Sequence, residues 1–241
     1  MNIKFFFCSL VLFLMMVSEA FSQQKISILG DSYSTFYAYV TPETNLCWYG
    51  VPGEEKENDV RQVEETWWYR FINDNGYKLE CNNSYSGSTI CHTGYEKKDY
   101  SDRSFVTRMY NLGNPDIIFI FGGTNDSWAG VPMGKFQYSG WTKADLYSFR
   151  PAFCRLLAYI VERYPKAAVY NITNSELSKD ITDSMNEICC HYNITNIHLH
   201  DIDKQWGHPS VKGMKSISSQ LRESISPALQ KYTFSIASEK Q

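Results

Sequence analysis

Two rhythms of apolar positions run along this chain. Short apolar or β-branched runs at residues 26–29, 77–81, 117–121, 167–172 and 196–201 read as strands. Between them, apolar residues spaced by three and four predict helices over 64–75, 104–112, 144–164, 178–192 and 210–230. The first helix shows Trp67, Trp68, Phe71 and Ile72 on one face and Gly76 as its stop. Arg150-Pro151 falls inside the longest one and predicts a kink or break, because proline removes a backbone donor. The run 117–121, Ile-Ile-Phe-Ile-Phe, is apolar at every position, as a parallel strand buried on both faces requires. Strands alternating with helices give the α/β class: a three-layer α/β/α sandwich of flavodoxin-like type around a mainly parallel five-stranded sheet. The stretch 82–89 reads as turns. Residues 36–58 and 128–141 read as long aromatic loops, and 203–209 as a loop before the closing helix.

The first 22 residues stand apart. Met1 to Lys4 is short and cationic, residues 5–17 are apolar but short for a membrane span, and Ala20 and Ser22 are the small residues a signal peptidase reads. This predicts an export leader at 1–22, one domain at 23–241, and no stable membrane anchor once the leader is removed. The net charge of −3, with both signs scattered, gives no basic stripe and so no nucleic-acid partner. Six cysteines follow the leader: Cys47, Cys81, Cys91, Cys154, Cys189 and Cys190. Export permits disulfides, with Cys81 and Cys91 the first pair to test, but a domain of this length does not need them, and buried thiols are the preferred reading. Cys189, Cys190, His191, His198 and His200 match no common zinc spacing, so no metal and no cofactor is expected.

Chemistry collects where strands end. Gly30-Asp31-Ser32 follows the first strand, Ser86-Gly87-Ser88 the second, and Gly122-Gly123-Thr124-Asn125-Asp126 the third, while Gly207-His208-Pro209 precedes the last helix. Taken singly, these are turn and cap residues; Asp31 and Ser32 would serve a helix N-terminus well. Taken together, all four fall on the C-terminal edge of the sheet, where open α/β sheets place their ligands. In this order they resemble the four marker blocks of the SGNH, or GDSL-type, serine hydrolases, over a stretch from Gly30 to about Gly213. The resemblance implies that Ser32 is the nucleophile and His208 its general base. It implies an oxyanion hole made by the N–H groups of Ser32 and Gly87 and the side-chain amide of Asn125. These residue types suit the roles: serine needs an adjacent base, and a tetrahedral oxyanion needs fixed donors.

One position departs from the family pattern. The acidic partner expected three residues before the histidine is Gln205 here. Asp203 is the expected substitute, reaching His208 through a longer turn; failing that, the site is a Ser–His dyad oriented by a carbonyl or by Gln205. The expected activity is an exported serine esterase acting on a small-molecule or glycan ester, with a short acyl group on a carbohydrate preferred. An acyltransferase could use the same residues, and Gln205 favours the alternative of a non-catalytic glycan-binding protein. An unperturbed imidazole would lose activity below about pH 6–7.

Overall fold

The computed structural model describes residues 23–238; the leader read at 1–22 lies outside them. Five strands, β1 (Lys25–Gly30), β2 (Lys78–Ser84), β3 (Ile117–Phe121), β4 (Ala168–Thr173) and β5 (Thr195–His198), form one parallel sheet in the order β2-β1-β3-β4-β5. Six helices accompany them: α1 (Trp67–Asp74), α2 (Phe105–Arg108), α3 (Thr124–Ala129), α4 (Phe149–Arg163), α5 (Lys179–His191) and α6 (Val211–Ser238). The period of two along β3 sets the layers. Ile117, Phe119 and Phe121 join Ile26 and Ile28 against the apolar faces of α1 and α6. Ile118 and Ile120 join Leu29 against α2, α4 and α5. Each of these buried side chains contributes about 1.5–3 kcal/mol, and a one-residue slip of β3 would exchange the two faces. The result is the expected α/β/α sandwich.

Local chemistry explains where the elements differ from expectation. The second strand runs on through Asn82, Asn83 and Ser84, because these polar side chains are buried and paired: Asn82 Nδ2 donates to Ser34 O at 2.9 Å, and Asn83 Nδ2 to Arg108 O at 3.1 Å. The break expected at Pro151 falls earlier, at Ser148; Pro151 sits in the first turn of α4, where a missing N–H costs nothing. Helix α3 follows β3 after Gly122 and Gly123 and takes in Trp128 and Ala129, the first residues of the segment that reads as a loop. The loop 203–209 is a small antiparallel ribbon, β6 (Lys204–Gln205) with β7 (His208–Pro209). All six described cysteines are free thiols; Cys81 and Cys91 each direct their sulfur to a backbone carbonyl, of Asn111 and Thr93 respectively.

Candidate active site

The sheet order reverses direction at β1 and β3, and the site forms at that crevice. Gly30 is in register with Ser84 of β2 and with Phe121 of β3. Tyr85 N–H donates to Gly30 O at 3.1 Å and Asp31 N–H to Phe121 O at 3.2 Å, so three chain segments leave the sheet together. Ser32 lies two residues past β1, Gly87 three past β2 and Asn125 four past β3. Asp31 does cap the turn Ser32–Ser34, accepting Tyr33 N–H at 3.0 Å. Ser32 has a different partner: its Oγ lies 2.9 Å from His208 Nε2.

The histidine is carried by the β6–β7 ribbon. Trp206 and Gly207 join the two strands at φ +51 and +73, the signature of a type I′ turn. Tyr33 Oη–H ties the turn down at Gly207 O, 2.5 Å, and Tyr49 Oη–H reaches Pro209 O at 2.9 Å. His208 Nδ1 lies 3.0 Å from Trp206 O. A carbonyl only accepts, so Nδ1 carries the proton and Nε2 turns a lone pair to the Ser32 hydroxyl. Trp48 stacks on the imidazole at 3.6 Å and 5°, and Trp128 stands edge-on at 6.2 Å. Burial pushes the ring's pKa down to about 4; Lys56 and Lys204 push the same way, and the Trp206 carbonyl opposes them.

Asp203 does not join this pair. Its carboxylate accepts the Ser210 Oγ–H, and Ser210 Oγ in turn accepts Gly213 N–H at 3.1 Å, so both serve the start of α6. Gly213 is required there, since any side chain would collide with Asp203 O. Gln205 is also turned elsewhere: its Oε1 accepts Asp59 N–H at 2.8 Å. The ring partner is therefore a backbone carbonyl, and the expected Asp203–His208 contact is corrected. Asp203 lies at a helix N-terminus, where the unpaired N–H groups favour negative charge.

Asn125 is held at both ends. Its Oδ1 accepts Tyr95 Oη–H at 2.8 Å and its Nδ2 donates to Ser88 O at 3.0 Å, leaving one amide hydrogen over. Burial pushes the Tyr95 phenol up to about 12, so it stays a donor. Gly87, at φ +78, has nothing within 4 Å of where a side chain would stand, and its N–H and that of Ser32 meet no backbone acceptor among the described residues. Beneath them lies Arg108, buried. Its Nη2 donates to Gly30 O at 3.0 Å and to Ser88 Oγ at 2.9 Å, and its Nη1 donates to Asn83 O. Asp126 accepts Ile90 N–H at 2.8 Å and Cys91 N–H at 3.3 Å. Burial pushes Asp31 up to about 7 and Asp126 up to about 6, and Arg108 down to about 9.

Sequence reasoning missed Tyr95, Trp206 and Arg108. Only Arg108 left a signal, as a cation among Phe105, Val106 and Met109 on one short helix. Cys91 and His92, neighbours in the chain, do not meet: His92 Nδ1 pairs with Ser104 Oγ at 2.9 Å. No group of three metal-ligating side chains occurs among the described residues.

A family model for GDSL-like lipases and acylhydrolases matches residues 24–225. The chain belongs to this family. A crystal structure from Bacteroides uniformis, described as a GDSL-like lipase, shares 74% identity with this GDSL-like protein at a TM-score of 0.84, covering 85% of this chain and 96% of that one. Another from Bacteroides ovatus, also described as a GDSL-like lipase, shares 55% identity at 0.84, covering 86% and 99%. A family two carbohydrate esterase from Clostridium thermocellum, in complex with cellohexaose, shares the fold at 17% identity and a TM-score of 0.55, covering 86% and 65%. No curated protein matches this GDSL-like chain. Membership supports a hydrolase of esters.

Proposed function

We propose that this protein is an exported serine esterase that removes a short acyl group, such as acetyl, from a carbohydrate by a Ser–His dyad. Ser32 Oγ attacks the ester carbonyl as its proton passes to His208 Nε2. The carbonyl π electrons move to oxygen, and that oxyanion accepts hydrogen bonds from Ser32 N–H, Gly87 N–H and the spare Asn125 Nδ2–H. Collapse expels the alcohol, which takes the proton from Nε2 and leaves an acyl-enzyme. Water then repeats the sequence, with His208 as its base, and releases the acid. Each oxyanion donor is worth roughly 3–4 kcal/mol of barrier.

The observation that carries the reading is the 2.9 Å contact from Ser32 Oγ to His208 Nε2, with Nδ1 committed to Trp206 O. The missing carboxylate is a smaller loss than it looks. In trypsin, replacing the triad aspartate by asparagine costs about 10⁴ because the wrong tautomer results; here the carbonyl selects the right one. Export rests on the leader pattern at 1–22, and no helix among the described residues is long and apolar enough to cross a membrane. The carbohydrate preference rests on the aromatic side chains around the site and on the fold shared with a carbohydrate esterase. Nothing in the scheme calls on a metal, a cofactor or a nucleic acid.

The test is a panel of simple acyl esters and acetylated oligosaccharides against wild type, Ser32→Ala and His208→Ala. Loss of turnover by at least about a thousandfold in both variants is expected. A Ser32→Ala protein as active as wild type ends the proposal, and glycan binding by a wild type without turnover would favour a binding protein instead.

A further inference from the structure

The type I′ turn that carries His208 does not need a tryptophan. Trp206 takes the first of its two left-handed positions, φ +51, where Asn, Asp and Gly are favoured and a bulky side chain is strained. Its side chain is 71% exposed, the most of any large hydrophobic residue among the described residues, and it stacks on no other described ring. Neither local propensity nor the core accounts for it. Strain held at an exposed position beside a reactive pair points to use by a ligand.

A second indole borders the same turn. Trp128, on α3, is 49% exposed, and its Cη2 lies 3.2 Å from where a side chain on Gly207 would begin. Its ring centre is 6.2 Å from that of His208. Trp128 thus stands edge-on to the imidazole and against the turn that presents it, and Trp206 is the exposed corner of that turn. In acyl transfer the carbonyl oxygen turns to the oxyanion donors, and the departing alcohol turns to the imidazolium that gives it a proton. Rings that accompany the imidazole and its turn are therefore placed to meet the alcohol part of the ester.

The surroundings choose the class of alcohol. Lys204 of the same ribbon pairs with Glu176 at 2.9 Å, and Lys56 pairs with Glu54 at 2.7 Å while lying 4.8 Å over the Trp48 ring. Paired charges thus accompany the rings of this site: Lys204 is two residues from Trp206 on the ribbon, and Lys56 covers the indole that stacks on His208. An alkyl chain would soon run onto charge. A pyranose ring matches, with C–H groups on its face and hydroxyls at its edge.

We propose that Trp206 and Trp128 form the subsite for the alcohol part of the ester, and that this part is a saccharide ring. The proposal rests on the esterase reading. Its test uses the full chain. Trp206→Asn installs a residue that the turn favours, so the hairpin is kept. The ratio of kcat/KM on acetylated xylobiose to that on ethyl acetate is expected to fall about tenfold, as loss of one ring face implies, and Trp206→Phe to recover most of it. An unchanged ratio overturns the proposal. So does a fall in the ratio of octyl acetate to ethyl acetate with the sugar ratio intact, since that marks an alkyl site. A second readout does not need turnover: the tryptophan fluorescence of Ser32→Ala should change saturably with acetylated xylobiose, and not in the Ser32→Ala, Trp206→Asn double variant. No saturable change in Ser32→Ala overturns the subsite. Hydrolysis of ethyl acetate by Ser32→Ala at the wild-type rate would instead sink the esterase reading, leaving the titration to judge the subsite alone.

Discussion

The stacked indole over His208 should set the pH range in which this site works. An imidazole must be neutral to accept the Ser32 proton, and burial, the largest cause, pushes this ring from 6.5 to about 4. At pH 5 a ring of pKa 4 is about nine-tenths neutral, whereas an unperturbed ring is only about 3% neutral, a thirtyfold difference in working enzyme. The acid limb of kcat/KM is therefore expected near pH 4, not at the 6–7 of a free imidazole. Trp48→Ala removes the group that covers one ring face at 3.6 Å. The imidazole regains water, and its pKa is expected to rise by about one to two units. The assay is acid release from a simple acetate ester between pH 3.5 and 8, set beside an NMR titration of the imidazole assigned with His208→Gln. A wild-type ring titrating at 6–7, or a Trp48→Ala ring titrating where wild type does, refutes the reasoning.

The ring must be observed directly because stability gives a mixed signal. The folded ring has a lower pKa than the unfolded one, so its contribution is complete above 6.5 and is lost as pH falls through about 4, at most about 3 kcal/mol. Asp31 and Asp126 run the opposite way. Their folded pKa values are raised, so their contribution is present below 3.8 and is lost as pH rises through about 6 to 7.

Two further outcomes follow from the contacts. Tyr95→Phe frees the carbonyl end of the Asn125 amide; kcat should fall about tenfold with little change in KM, and the loss should vanish in an Asn125→Ala background. Equal losses in both backgrounds would show that Tyr95 acts on something other than that amide. Asp203→Ala removes the Ser210 partner at the start of α6 and should cost about 1–2 kcal/mol in thermal unfolding, with kcat within about threefold of wild type. A loss near 10⁴ in kcat would return Asp203 to the ring.

The legible part of this molecule was the part set by short-range rules. Ile117–Phe121 could be read to the residue because a fully buried parallel strand has no polar position. Ser32, Gly87, Asn125 and His208 were marked by the resemblance of four ordered blocks to the family pattern, since each block taken singly reads as a turn or a cap. The ribbon at 204–209 was hidden, since two-residue strands leave no periodicity, and the usual Asn-Gly turn signal is replaced by Trp-Gly. Asp203 was misjudged for a related reason. Spacing along the chain says how near a carboxylate can come to a ring, but its direction is decided by Ser210 and by the close approach of Gly213, which only the fold reveals. Tyr95 lay beyond reach because it meets Asn125 from 30 residues away through an irregular segment, with Glu96 and Lys97 both at positive φ.

Under the proposed mechanism the aspartate of a triad has two duties, and this site divides them. Fixing the tautomer falls to Trp206 O, which needs only a carbonyl at 3.0 Å. Among the described residues, stabilising the imidazolium has no charged agent: Lys56 and Lys204 oppose it, and Trp48 is the π system stacked flat on the ring. A ring of pKa near 4 is a weak base, so it draws the serine proton less strongly. In return it stays neutral in mild acid, and its protonated form is a strong acid for a departing alkoxide. The imidazolium also forms only together with the oxyanion, so the pair is neutral overall, and closing the site over a bound alcohol strengthens their mutual attraction by excluding water. A ligand covering Trp206 and Trp128 would therefore do more than bind. It would supply part of the stabilisation that the absent carboxylate provides elsewhere, and simple esters with no ring to offer should turn over more slowly than glycan esters by a margin in kcat as well as in KM.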